Sequence, residues 1–136
     1  MQIEAPLRQI FQAPFQRCEE AFDRFFGGRH NPLRHLGALG LFLLWIIVGS
    51  GIYLYIVIDT GIDQVYESIG EISRDQWYFG GILRSLHRYA SDAFMLVMGL
   101  HLLREWAYGR YTGFRFYSWI TGVPLIWLAF ASGIGG

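Results

Sequence analysis

The chain has no lysine, a single cysteine and no block of charge of one sign. All its basic residues are arginines, and its 11 bases are balanced by 11 acids, so the formal net charge is zero. A nucleic-acid partner therefore has no basic patch to rest on. The one cysteine, Cys18, excludes an internal disulfide, and the lack of any Cys-x-x-Cys-His motif excludes covalent c-type haem attachment. The N-terminus does not read as a secretory signal either. Glu4, Glu19, Glu20 and Asp23 all come before the first long apolar run.

Apolar side chains, by contrast, are abundant. Of 136 residues, 53% are hydrophobic and 18% aromatic, with a mean hydropathy of +0.29. A soluble domain of this size rarely carries so much apolar surface, whereas a membrane protein does. Leu36 to Ile58 runs 23 residues without a charge. At about 1.5 Å per residue it reaches roughly 35 Å, enough to cross a hydrocarbon core of about 30 Å. A second span is expected over residues 78–106. Its clean apolar centre, Ala93 to Leu103, is too short alone, so the crossing takes in Arg84, His87, Arg88, Asp92, His101 and Arg104. A third span is expected from Tyr117 to Gly136, with Pro124 bending or restarting it.

Residues 1–29 read as an amphipathic helix, in one piece or two around Pro14. Leu7, Phe11, Phe15, Cys18, Phe22 and Phe25 recur at intervals of three and four, with charges elsewhere. That pattern suits a helix lying on a bilayer surface, and also one resting on a partner protein. A shorter surface helix is expected at Ile62 to Ile72 in the polar connection after the first span. Charge placement gives an orientation. Arg24, Arg29 and Arg34 precede the first span, and Arg104, Arg110 and Arg115 follow the second. The connection between those spans holds Asp59, Asp63, Glu67, Glu71 and Asp75 against Arg74 alone. The positive-inside rule puts the N-terminus in the cytoplasm and the acidic loop outside.

Two histidines carry the chemistry. His87 and His101 are 14 residues apart on the second expected span. They share a face to within about 40° and are separated by roughly 21 Å along the axis. Imidazoles at opposite depths of a membrane suit two stacked haems, each taking one axial nitrogen. Ala90, Phe94, Val97 and Met98 lie between them on that face. Arg84 and Arg104 flank the pair by three residues on either side, where guanidinium groups can meet anionic propionates. Arg88 and Asp92, four apart on the opposite face, are expected to pair with each other. The 14-residue interval recurs as Gly37 and Gly51 in the first span and as Gly122 and Gly136 in the third. A flat cofactor between helices needs such points of close backbone approach. Gly40 and Gly49 read as ordinary small-residue helix contacts.

At these residues the sequence resembles the N-terminal half of the cytochrome b/b6 family. The stretch Gly80-Gly-Ile-Leu-Arg84-Ser-Leu-His87-Arg88-Tyr-Ala-Ser91, followed by His101-Leu-Leu-Arg104, is similar to the family's second helix, nearest to the b6 branch. Trp119-Ile-Thr-Gly122 is similar to its third. The resemblance covers about residues 30–136. With the N-terminal interfacial helix already read from its periodicity, it implies an all-α membrane protein with three transmembrane helices of a haem-binding four-helix bundle whose fourth helix is missing. His87 is implied as ligand of the outer-side haem b and His101 of the cytoplasmic-side haem b. Gly37, Gly51, Gly122 and Gly136 are implied against the rings, with Arg84 and Arg104 near propionates. The second axial ligands are implied to come from sequence or a chain not present here. His30 and His35 are poor substitutes, since both stand at the cytoplasmic start of the first span. The family's b6 branch has a cysteine for an extra covalent haem where this chain has His35, and Cys18 is too far upstream to replace it. The sequence stops where the family's outer quinol-site loop begins, so a fragment or the product of a split is expected.

The function so implied is electron transfer between two b haems in a quinol-oxidising complex, with no bond-making chemistry of the chain's own. Membrane lipid, quinol or quinone, the remaining cytochrome b helices, and iron–sulfur and c-type cytochrome or dehydrogenase subunits are the implied partners. The setting is a bacterial inner membrane or an equivalent energy-transducing membrane. A haem-b anchor for a dehydrogenase or reductase is the alternative within redox proteins. A proton relay through His87, Asp92 and His101, in a transporter or structural subunit, leaves the paired glycines and flanking arginines without a role.

Overall fold

A computed structural model describes residues 4–58, 61, 64, 68–70, 74 and 77–135. Among these, every extended element is helical. Helix α1 is Glu4–Phe26, α2 is Leu36–Val57, α3 is Ile82–Ala107 and α4 is Arg115–Gly135. A 3-10 turn at Pro32–His35 leads into α2, and a π-helical turn at Trp77–Gly81 leads into α3. The expected short helix at 62–72 falls largely outside the described residues.

The helix ends are set by local chemistry. Helix α1 closes on Gly27, whose φ of 74° is open to glycine at little cost, and Gly27 N–H bonds to Asp23 O at 2.9 Å. Asn31 then caps the 3-10 turn, accepting from Leu33 N–H at 3.0 Å, with Pro32 following it. Helix α3 ends in a Schellman motif. Gly109, at φ 67°, donates to Trp106 O, and Arg110 N–H reaches back to Glu105 O, both at 2.9 Å.

The first and third expected spans coincide with α2 and α4 to within two residues. The second is displaced by a few residues at its start because the π-helical turn occupies Trp77–Gly81. Pro14 does not divide α1, which is a single helix, and α4 continues through Pro124. Both prolines leave one carbonyl without its usual partner, a loss that the flanking turns absorb. Two helical stretches, Pro32–Val57 and Arg115–Ile134, are long and apolar enough to cross a membrane. Neither is a buried core helix. Trp45 is 70% exposed, Tyr55 77%, and Trp127 68%, so broad apolar faces point outward.

The chain forms two compact units, Met1–Gly40 with Met95–Gly136, and Leu41–Phe94. In the first, α1 docks through a polar stripe. Arg8 Nη1 donates to Tyr111 Oη at 3.2 Å, and Gln12 Nε2 donates to Ala107 O at 2.8 Å. Arg104 Nε donates to Glu19 Oε1 at 2.8 Å. Asn31, wholly buried, donates to Glu19 O and to Asp23 Oδ1, while Arg34 pairs with Asp23 Oδ2 at 2.7 Å. Residues 8, 12, 19 and 23 lie on one face by helical spacing. Of the apolar stripe, Leu7, Phe22 and Phe25 remain exposed, whereas Phe15 is half-buried and Phe11 meets Trp106 edge to face at 5.6 Å, so the stripe is free only in part. In the second unit, Tyr53 and Phe79 meet edge to face at 5.1 Å.

Candidate functional site

In the unit of residues 41–94, His87 sits half-buried on α3 and faces Gly51 of α2. A Cβ added at Gly51 would stand 3.1 Å from His87 Cε1, tighter than ordinary packing. Only a residue without a side chain lets the imidazole lie against the helix backbone there. Ser50, one position earlier, places Oγ 2.9 Å from His87 Nδ1. The His87 carbonyl accepts from Ser91 Oγ at 2.8 Å.

The other unit repeats the arrangement. His101, also half-buried, faces Gly37, where a Cβ would stand 3.2 Å from Cε1 and 3.4 Å from Nε2. Gly40, expected as a mere helix contact, is tighter still: a Cβ there would come within 2.5 Å of Met98 Sδ. On the far side of His101 a cleft of about 380 Å³ opens between α3 and α4, lined among others by Gly122, Ser118, Trp119, Arg110 and Arg115. Gly122 meets only Leu102 Cδ1 at 3.9 Å. The buried indole N–H of Trp119 has no partner among the described residues. The cleft carries the Arg110 and Arg115 guanidinium groups together with the Glu105 carboxylate, which already pairs with Arg110.

Arg84 is exposed on α3, one turn before His87. Arg104 is only 5% exposed, and its Nε is taken by Glu19. Glu105 links it to Arg110, contacting both at 3.4 Å, and the guanidinium groups of Arg104 and Arg110 each lie 5.0 Å from the Tyr108 ring centre. Burial first, and then the negative field of Glu19, raise the Tyr108 phenol above its ordinary pKa. Arg88 and Asp92 are both exposed and form no ion pair with each other. The expected pairing is corrected here. With the base N-terminal to the acid, the spacing has the less favourable order along a helix. Gly136 lies outside the described residues.

The structure thus joins Gly37 with His101, and Gly51 with His87, and puts Gly122 and His101 on one cleft. Sequence reasoning missed Ser50, Trp119, Glu105 and the docking role of Glu19. Ser50 alone left a signal, as the one aliphatic hydroxyl in the apolar run Leu36–Ile58. Among the described residues no group of three or more His, Cys, Asp or Glu side chains could hold a bare metal ion. Isolated imidazoles beside glycines are the donor set that a porphyrin-held iron asks for.

Fold and site together define a helical protein of membrane type with histidines laid against glycine-notched helices. The model of the cytochrome b/b6/petB family matches residues 26–136. The chain is 29% identical over 118 residues to a cytochrome b6 of Synechococcus sp. (strain JA-3-3Ab), covering 87% of this chain and 54% of that protein. It is 29% identical over 102 residues to a cytochrome b of Cyanidium caldarium, covering 75% of this chain and 26% of that one. A cytochrome b of Rhodospirillum rubrum is 28% identical over 106 residues, with 78% and 26% covered. The chain therefore spans between about a quarter and about half of these relatives. No solved structure matches it significantly. The chain belongs to the cytochrome b/b6/petB family.

Proposed function

We propose that this chain is the haem-holding N-terminal portion of an electron-transfer subunit in a quinol-oxidising membrane complex, with α3 as its second span and two b haems held across the bilayer. One observation carries the reading: both histidines of α3 lie against glycines of α2, at the same 14-residue interval on each helix. Such an arrangement suits flat groups seated at two depths. When bound, each haem supplies a one-electron carrier whose potential the protein sets.

The residues have separable tasks. His87 offers a ring nitrogen near the outer face and His101 one near the cytoplasmic face. Gly37 and Gly51 let the two imidazoles lie close against α2, and Gly122 leaves room for a ring edge beside His101. Arg84 meets the acidic edge of the outer group. At the inner end Arg104 is anchored by Glu19 and orients Glu105 and Arg110, while Arg110 and Arg115 face the cleft directly. The outward apolar faces of α2 and α4 keep water away, and the remaining axial ligands come from outside this chain. The apolar stripe of α1 lies on the cytoplasmic bilayer surface.

A reduced-minus-oxidised spectrum of membranes carrying the intact protein tests the reading. The account expects b-type bands, diminished in His87→Leu and in His101→Leu. Membranes without a haem signal, or with full signal in both variants, would contradict it.

A further inference from the structure

Ser50 is 4% exposed in the middle of an apolar helix. A hydroxyl in that position commonly returns its proton to the preceding turn, and Ser50 does so. Its Oγ donates to Ile46 O at 2.6 Å and approaches Ile47 O at 3.2 Å. A serine has one proton to give, and the shorter bond takes it. The same oxygen is 2.9 Å from His87 Nδ1. With the O–H committed to the backbone, that contact is a hydrogen bond only if Nδ1 carries the ring proton and Ser50 accepts it. A neutral imidazole so protonated has its lone pair on Nε2.

We propose that Ser50 is a positioning residue for His87, holding the imidazole in its Nδ1–H tautomer so that Nε2 is the nitrogen presented to iron. The inference rests on His87 being a haem ligand and adds what selects its ligating atom. Gly51 completes the device, because the ring can reach Ser50 only by lying where a Cβ at Gly51 would crowd Cε1. Metal-bound histidines gain basicity from such an acceptor. A more basic ligand favours the oxidised iron, so the group held by His87 has the lower potential for this bond. His101 makes no corresponding hydrogen bond among the described residues.

Two measurements test this. In the intact protein prepared without haem, its retained helix content checked by circular dichroism, ring-nitrogen shifts of nitrogen-15-labelled histidine report the tautomer. The expected result is Nδ1–H at His87 in the native chain and in Ser50→Thr, the opposite tautomer gaining in Ser50→Ala, and His101 unchanged throughout. An Nε2–H tautomer at His87 in the native chain, or an unaltered spectrum in Ser50→Ala, overturns the proposal. In the intact protein in membranes, Ser50→Ala should raise the potential of the component that His87→Leu abolishes and leave the other in place, with Ser50→Thr restoring it. A potential unmoved by Ser50→Ala overturns this inference while leaving the haem reading intact. Native membranes with no b-type spectrum overturn the haem reading instead, and the nitrogen shifts still decide the tautomer.

Discussion

At the residue scale the glycines divide by what stands opposite them. A side chain at Gly51 meets the His87 ring at 3.1 Å, whereas Gly49, two positions away, has nothing within 4 Å. Overpacking of a filled site costs about 1–3 kcal/mol. Gly51→Val is therefore expected to remove most of the haem component tied to His87, and Gly49→Ala to leave both components in place, as measured by difference spectra at matched protein levels. The interval between these glycines was legible in sequence, because periodicity survives in one dimension. Ser50 was not legible as a partner of His87, since the two stand 37 positions apart in sequence and meet only by the antiparallel return of α3 on α2.

The elements show a similar division. The apolar runs of α2 and α4 announced themselves, since long charge-free segments leave few alternatives. The apolar stripe of α1 was equally plain, but apart from Phe11 on Trp106 the docking contacts come from its polar stripe. Period alone does not say which face a helix turns to its own protein. Arg104 was expected to face a propionate, and its bond to Glu19 spans 85 residues of sequence, beyond any local pattern. The pair is nearly dry, with side chains 6% and 11% exposed. Removing one partner of a buried pair costs about 3–5 kcal/mol because the other charge is stranded. Glu19→Ala should thus detach α1, seen as faster proteolysis within residues 4–26 and a lower melting temperature in detergent. Tyr108 adds a pH dependence. Its folded pKa is raised, so its contribution is fully present below the ordinary phenol value of about 10 and is lost as pH rises through the folded value. Stability should fall in strong alkali, and Tyr108→Phe should flatten that decline.

On the scale of the whole molecule, the proposed direction in the membrane rests on the charges at the helix ends. Arg29 is exposed in the turn after α1, and Arg74 is exposed in the acidic connection. Trypsin added to inside-out vesicles is expected to cut at Arg29 and spare Arg74, and right-side-out vesicles should show the reverse. Both cuts from one side would contradict a crossing between the two sites. Family membership was legible from the histidine–arginine pattern of α3, even though that helix carries too many charges to pass as a span by hydropathy alone. Of those charges Arg104 has a buried partner in Glu19, as a charge so costly in lipid requires.

The central claim is that each histidine of α3 serves its own haem. Haem b per chain, counted by alkaline pyridine assay on the purified intact protein, tests it most directly. The account predicts two haems in the native protein, one in His87→Leu, one in His101→Leu and none in the double variant. Two haems retained in either single variant would contradict it.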